Sequence, residues 1–340
     1  MIVIEDCRQM FKKSTFSNYK KSDVIKNLTT SIYYGKQEES FFYTCEMLCS
    51  NMIIELWNVI FLIMSKYIHI YNPKLPVFIY NKYNDFRNIA LKNGNDFTLR
   101  NDQNVRNLFC TIILILCCSQ KFTILDDMKY KFNFKLENLY ENLKAPHIKY
   151  IDKVYLNSDP KEYLIPFNEL IYHLYETKQK IDIHFWINWI IHYDVLCRKK
   201  KKIVLCQQRD IFMDKNEKLS KNIVWIIWDC VLKLSKETSK KEIQRIIESI
   251  FELFKIRYSF TCNKTRIHLI YHSIELILLS SSVNLKIEIL KERQLLKTLE
   301  QNIETIFEQI KSHEQKLAPN ENKSISEKKM DLYQNIYNNL

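Results

Sequence analysis

The sequence predicts an all-α protein, two helical domains followed by a long C-terminal helix and a polar tail, and three observations carry that prediction. Only two glycines, Gly35 and Gly94, occur in 340 residues, whereas tight hairpins and many β-rich folds rely on glycine for the positive φ of their turns. Apolar residues recur at helical rather than alternating spacing, as at Phe41, Cys45, Leu48 and Cys49 and again at Leu170, Leu174 and Tyr175. The six prolines lie between these stretches and punctuate them.

Taken in order, the first domain covers residues 1–145. Pro73 and Pro76 close its first helical pair, and Ala145-Pro146 reads as a linker. The uncharged apolar run Leu108 to Cys118 is about half the length that a bilayer-spanning helix needs, and the stretch Ile53 to Tyr71 is interrupted by Glu55 and Lys66. No membrane span is predicted. The second domain covers residues 146–283, entered through a turn at Ser158 and Asp159 flanked by Pro160 and Pro166. Its clearest helix places Ile243, Ile246, Ile247, Ile250, Phe251 and Phe254 on one face and Glu242, Arg245, Glu248 and Glu252 on the other. Isoleucine lowers helix propensity by only tenths of a kcal/mol per residue, roughly, and burial of a face outweighs that.

Residues 284–340 form the last part. From Leu285 to Leu317 apolar positions at Ile289, Leu296, Leu299, Ile303, Ile306 and Ile310 drift between three- and four-residue steps. That spacing suits a helix laid along a surface or paired with a partner, with a short coiled coil as the second choice. Beyond Pro319 the chain turns polar, and one short helix is expected around Met330 to Tyr337.

Hydrophobic residues at 46% and aromatics at 13% supply an ample core. Ile, Lys, Asn, Tyr and Phe are in great excess, while alanine occurs only at Ala90, Ala145 and Ala318. Such usage follows A/T-rich codons, as in a large DNA virus or an A/T-rich protist. The same bias qualifies the net charge of +12, because 41 of the 51 basic residues are lysine and 10 are arginine. A surface selected for phosphate would draw more on the planar fork of arginine. Ten scattered cysteines and a mixed, acidic-containing start around Cys7 point to a reducing, intracellular compartment, with the nucleus or a viral factory as settings.

Phosphate-binding loops of the P-loop, dinucleotide or kinase type need two or three glycines within a few residues, so that backbone amides reach the phosphates. Here the two glycines stand 59 positions apart. The chain therefore cannot hold a nucleotide through a glycine-rich loop of its own, and no cofactor is expected.

Between Ser31 and Pro73 the sequence reads Ser31-Ile32-Tyr33-Tyr34-Gly35-Lys36-Gln37-Glu38-Glu39-Ser40, then Tyr43, Glu46-Met47, Leu56-Trp57, and Ser65-Lys66-Tyr67-Ile68-His69-Ile70-Tyr71-Asn72-Pro73. This resembles the helical lid and oligomerisation region of the clamp-loader-like AAA+ family that includes replication-associated recombination protein A and the Werner-helicase-interacting ATPase. The spacing matches from Gly35 through Pro73, and a looser likeness covers about residues 22–120. Lys66 and Tyr67 replace that family's acidic pair, His69 replaces its glycine, and only a short stretch stands where its ATPase domain would be. The resemblance implies the oligomerising, partner-contacting part without the motor, with Gly35, Glu38, Glu39, Trp57, Asn72 and Pro73 as docking residues. Physically, Gly35 suits a left-handed helix C-cap, and Glu38 and Glu39 suit the next helix N-terminus.

A second segment runs from His184-Phe185-Trp186 through Trp189 and Cys197 to Arg198-Lys199-Lys200-Lys201-Lys202, with Trp225, Trp228 and Asp229 further on. Aromatics beside cations are what a single-strand binder uses. Trp186, Trp189 and Ile190 share one helical face, as do Trp225 and Trp228, so core burial is the favoured reading for the tryptophans. The basic run, Arg198, Lys199, Lys200, Lys201 and Lys202, stays open between a nucleic-acid contact and a solvated or import-like surface. His184, His192, Cys197 and Cys206 lie in one region, and Cys45/Cys49 and His268/His272 are each four apart. No tight C-x-x-C pair accompanies them, and His268 lacks the following Glu of a zinc-protease helix, so no metal is expected. Asp126-Asp127, Glu38-Glu39 and Asp229 are ordinary carboxylates with no catalytic constellation around them.

These readings give a non-catalytic accessory or adaptor protein of DNA replication or repair. It would oligomerise or dock onto a clamp-loader-like ATPase, with weak DNA affinity through the basic run. The alternative is a structural or transcription-related helical scaffold of a large DNA virus with no direct DNA contact.

Overall fold

A computed structural model describes residues 3–6, 11, 14–93, 96–122, 130, 132, 134, 139–290 and 295–314. Among them the chain is all-α, with no strand and one isolated bridge between Ser14 and Lys20. Contacts divide it into two units, each assembled from separate stretches. The first comprises Met1–Ile60, Lys82–Cys118 and Leu290–Leu340, the second Phe61–Asn81 and Ser119–Ile289. The sequence reading instead divides the chain at single points, after 145 and after 283.

In the first unit, α1 (Lys21–Tyr33) buries Val24, Leu28, Ser31 and Ile32, a four-and-three spacing that makes one face. It ends at Gly35, φ +72°, where the Gly35 N–H donates to Ile32 O at 3.1 Å and the Lys36 N–H to Ser31 O at 2.9 Å. This is the left-handed helix stop expected of that glycine. α2 (Gln37–Cys49) follows, with Glu38 and Glu39 in its first turn, where carboxylates complement the helix dipole.

The centre of this unit is α6 (Gln103–Cys118), whose residues Ile112, Ile113 and Leu116 are fully buried. Arg106 on the same helix is also fully buried. Its Nη2 donates to Glu304 at 2.9 Å, and its guanidinium lies 3.9 Å from the Phe307 ring centroid. Those partners belong to α14 (Leu295–Lys311), which packs on α2 and α6 through Ile303, Phe307 and Ile310.

α14 corrects the expected helix from Leu285 to Leu317. Residues 283–290 are turns and irregular chain, and there the Asn284 side chain accepts the Lys286 N–H at 3.0 Å. Such a local bond competes with the helical one. Pro319, Gly94, Asp126-Asp127 and the short helix expected at Met330 to Tyr337 lie outside the described residues.

α3 (Ile53–Leu62) runs into a π-helix at Ile63–Ile68 and a 3-10 turn at His69–Tyr71. Ile53–Tyr71 is long and apolar enough to cross a membrane, yet 56% of its most apolar window is buried within the protein. α4 (Leu75–Asn93) takes Pro76 in its first turn, where no N–H is needed, and a short α5 (Asp96–Asn101) precedes α6.

In the second unit, α7 (Leu164–Tyr172) packs on α8 (Lys180–Lys199), and α10 (Val224–Thr238), α11 (Lys241–Lys255) and α13 (Ile267–Leu278) pack on one another; α9 (Glu217–Ser220) and α12 (Cys262–Thr265) are single turns. The predicted apolar face of α11 is buried throughout, with Glu242, Arg245 and Glu248 exposed opposite. Trp186, Trp189, Trp225 and Trp228 are all core, none more than 3% exposed. Ala145-Pro146, expected as a linker, lies inside this unit, where the carboxylate of Glu169 accepts the N–H groups of Lys144 and Ala145 at 2.9 and 3.1 Å.

Glycine scarcity has a visible consequence. Asn51, Lys178 and Lys201, all with positive φ, close helical segments where other chains place glycine.

Candidate nucleic-acid interface

The basic run is the end of α8 and the turn that closes it. Lys201 N–H donates to Arg198 O at 3.0 Å and Lys202 N–H to Cys197 O at 2.9 Å, with Lys201 left-handed at φ +59°. Positive side chains suit this end of a helix, where the unpaired carbonyls carry partial negative charge.

The five residues do not behave alike. Arg198 turns inward: its Nη2 lies 2.7 Å from Asp194, and its guanidinium sits 4.6 Å from the Phe260 ring centroid. Burial pushes the Asp194 carboxyl up, and the Arg198 charge opposes that shift. Lys202 reaches Glu162 at 2.9 Å, and this hydrogen bond holds the Glu162 carboxyl below the usual range. Lys199, Lys200 and Lys201 are exposed.

Two further cations are exposed on segments near α8, which spacing along the chain does not reveal. The Arg198–Phe260 contact brings the turn after α11 beside the end of α8, with Arg257 exposed on it at φ +44°. Lys264 is exposed on α12, near enough to α8 that its charge adds to burial in depressing the His192 ring. The nearest sequence signal was the excess of lysine itself, which carries no position.

The docking residues implied by the resemblance separate into three places. Glu38 and Glu39, on the turn after Gly35, line a groove of about 440 Å³ with Phe42, Tyr43 and residues of α14 that include Thr305 and Ile306. Glu39 accepts from Lys36 Nζ at 2.8 Å and Ser31 Oγ at 3.0 Å, and these bonds, Lys36 first, lower its carboxyl. Trp57 is a correction: it is 4% exposed, packed on Tyr83, Phe86 and Phe109 at 5.0 to 5.9 Å, and has no face for a partner. Asn72 and Pro73 are corrected likewise. Both are buried in the second unit, and Asn72 Nδ2 donates to Ile289 O at 3.1 Å.

Among the described residues no group of three or more His, Cys, Asp or Glu side chains is arranged to hold a metal ion. His184 instead stacks on Tyr271 at 3.9 Å, and burial lowers its ring to about 4. The Cys206 thiol donates to Asn222 O at 3.3 Å and burial pushes it up to about 12, so it is a core thiol and not a nucleophile. Asp229 is engaged by Lys233 at 3.2 Å and faces Arg209 at 3.8 Å.

The fold and this surface define a class: an all-α chain that presents a fixed cationic helix end. No protein-family model matches the chain, and no match is found among curated proteins or among solved structures.

Proposed function

We propose that the chain is a non-catalytic accessory protein of DNA replication or repair that contacts the nucleic-acid backbone through Lys199, Lys200 and Lys201. The carrying observation is that these three lysines are exposed on a turn whose geometry is fixed by helical hydrogen bonds, with Arg257 and Lys264 exposed on neighbouring segments. Phosphate contacts of this kind give sequence-independent, salt-sensitive affinity. In the same reading, the groove beside Glu38 and Glu39 is the docking surface toward a clamp-loader-like ATPase or a second copy of the chain. Affinity capture from the source organism tests that part. Replication proteins retained by the wild type and lost from an E38K/E39K variant support it; equal recovery with both removes it.

A second reading is a helical scaffold without DNA contact. It is favoured by the internal ion pairs of Arg198 and Lys202, which take two of the run's five charges out of play. The two readings separate on the salt dependence of DNA binding.

A further inference from the structure

Two histidines of the second unit take no part in the surface just described. The π-helix Ile63–Ile68 ends at His69, whose φ of +33° and ψ of −112° lie outside the conformations that L-residues ordinarily adopt. Backbone of this kind and π-helical turns both concentrate at functional sites. His69 Nε2 lies 3.0 Å from the carbonyl oxygen of Phe122. A carbonyl only accepts, so Nε2 carries the proton and the Nδ1 lone pair is left available. That Nδ1 is buried with no hydrogen-bond partner.

Beside it stands His272 of α13, its ring centroid 6.5 Å away and its plane at 74°. Neither nitrogen of His272 has a partner, and each of the two histidines is 1% exposed. An unpaired buried polar atom is costly, and here three fall in one place. Burial depresses His69 to about 4 and His272 to about 3, so both rings are neutral, the form in which imidazole binds metals.

We propose that His69 Nδ1 and a ring nitrogen of His272 together hold one cuprous ion. Two neutral nitrogen donors without a third His, Cys, Asp or Glu among the described residues suit an ion content with two ligands in line, whereas zinc takes four. A single positive charge is also the cheapest to bury, because the desolvation penalty grows with the square of the charge. Two metal–nitrogen bonds of about 2 Å and two ring radii of about 1 Å span roughly 6 Å, close to the separation of the rings. The Phe122 carbonyl is then the outer group that fixes the tautomer and ring orientation of His69.

The test uses the full-length reduced protein under anaerobic conditions, given less than one equivalent of cuprous ion as its complex with the chelator bicinchoninate. Wild type is expected to withdraw the copper, with X-ray absorption showing two nitrogen neighbours and no sulfur. H272L and H69Q are each expected to bind at least tenfold more weakly while circular dichroism shows a helical fold. H69Q covers the case in which H272L does not fold, and the reverse. Failure of wild type to compete for the ion, equal uptake by a folded variant, or sulfur scattering from the cysteines would overturn the proposal.

Discussion

Arg209 grips Asp159 in both hands: Nη1 lies 2.7 Å from Oδ1 and Nη2 2.6 Å from Oδ2, across 50 residues of chain. Both side chains are buried. The carboxylate also accepts the N–H groups of Leu156 and Gln207, each at 2.8 Å, so one buried ion pair fastens the loop after α8 to the segment before α7. Removing one partner leaves an uncompensated charge in the interior, which costs about 3–5 kcal/mol. R209L is expected to lose that much in urea unfolding. A double R209M/D159L replacement should recover part of it, because no charge is then stranded.

Gly35 is held at φ +72°, and a Cβ there would meet Cys117 O at 3.4 Å, an ordinary contact. Conformation rather than space is the constraint, so G35A should cost about 1–2 kcal/mol. G35N should cost less, since Asn visits the left-handed region more readily. Thermal unfolding of the two variants ranks them; an Asn variant as poor as Ala would mean that space is limiting after all.

His184 supplies a pH dependence. Its folded pKa is lowered to about 4 from an ordinary 6.5, by burial first and then by the charges of His268 and Lys180. The folded state thus binds the proton more weakly than the unfolded chain. The stability is present above the unfolded pKa and is lost as pH falls from about 6.5 toward about 4. At pH 5 the loss from this one ring is about 2 kcal/mol. H184F keeps an aromatic ring against Tyr271, and its unfolding free energy should fall less steeply between pH 7 and pH 5 than that of wild type.

How far these elements were legible in sequence depends on the range of the interaction that builds them. α11 was readable because its apolar face is written in one continuous stretch, and the Gly35 stop because a single residue type carries it. The start of α14 was not: the apolar period extends back to Ile289, but Asn284 bonds its own neighbourhood and Ile289 O serves Asn72. Long-range pairs such as the buried Arg106 with the half-buried Glu304 have no local signature, their partners being 198 residues apart. The unit boundaries inside α3 and α4 were hidden for the same reason, since helical periodicity continues across them. At the candidate surface, spacing found the basic run but not which lysines stay exposed. That depends on Asp194, Glu162 and Phe260, and only Asp194 lies within a helical turn of the run.

The most direct trial of the phosphate-contact claim is the affinity of the full-length protein for a labelled DNA duplex at two salt concentrations. Three lysine–phosphate contacts imply that log K falls with a slope of about −2.7 against log salt, so wild type should lose about 40-fold in affinity between 50 and 200 mM. A K199E/K200E/K201E variant of unchanged helicity should bind any duplex more weakly at low salt and show a much flatter dependence. Equal affinity and equal slope for the two proteins would contradict the account and leave the scaffold reading in its place.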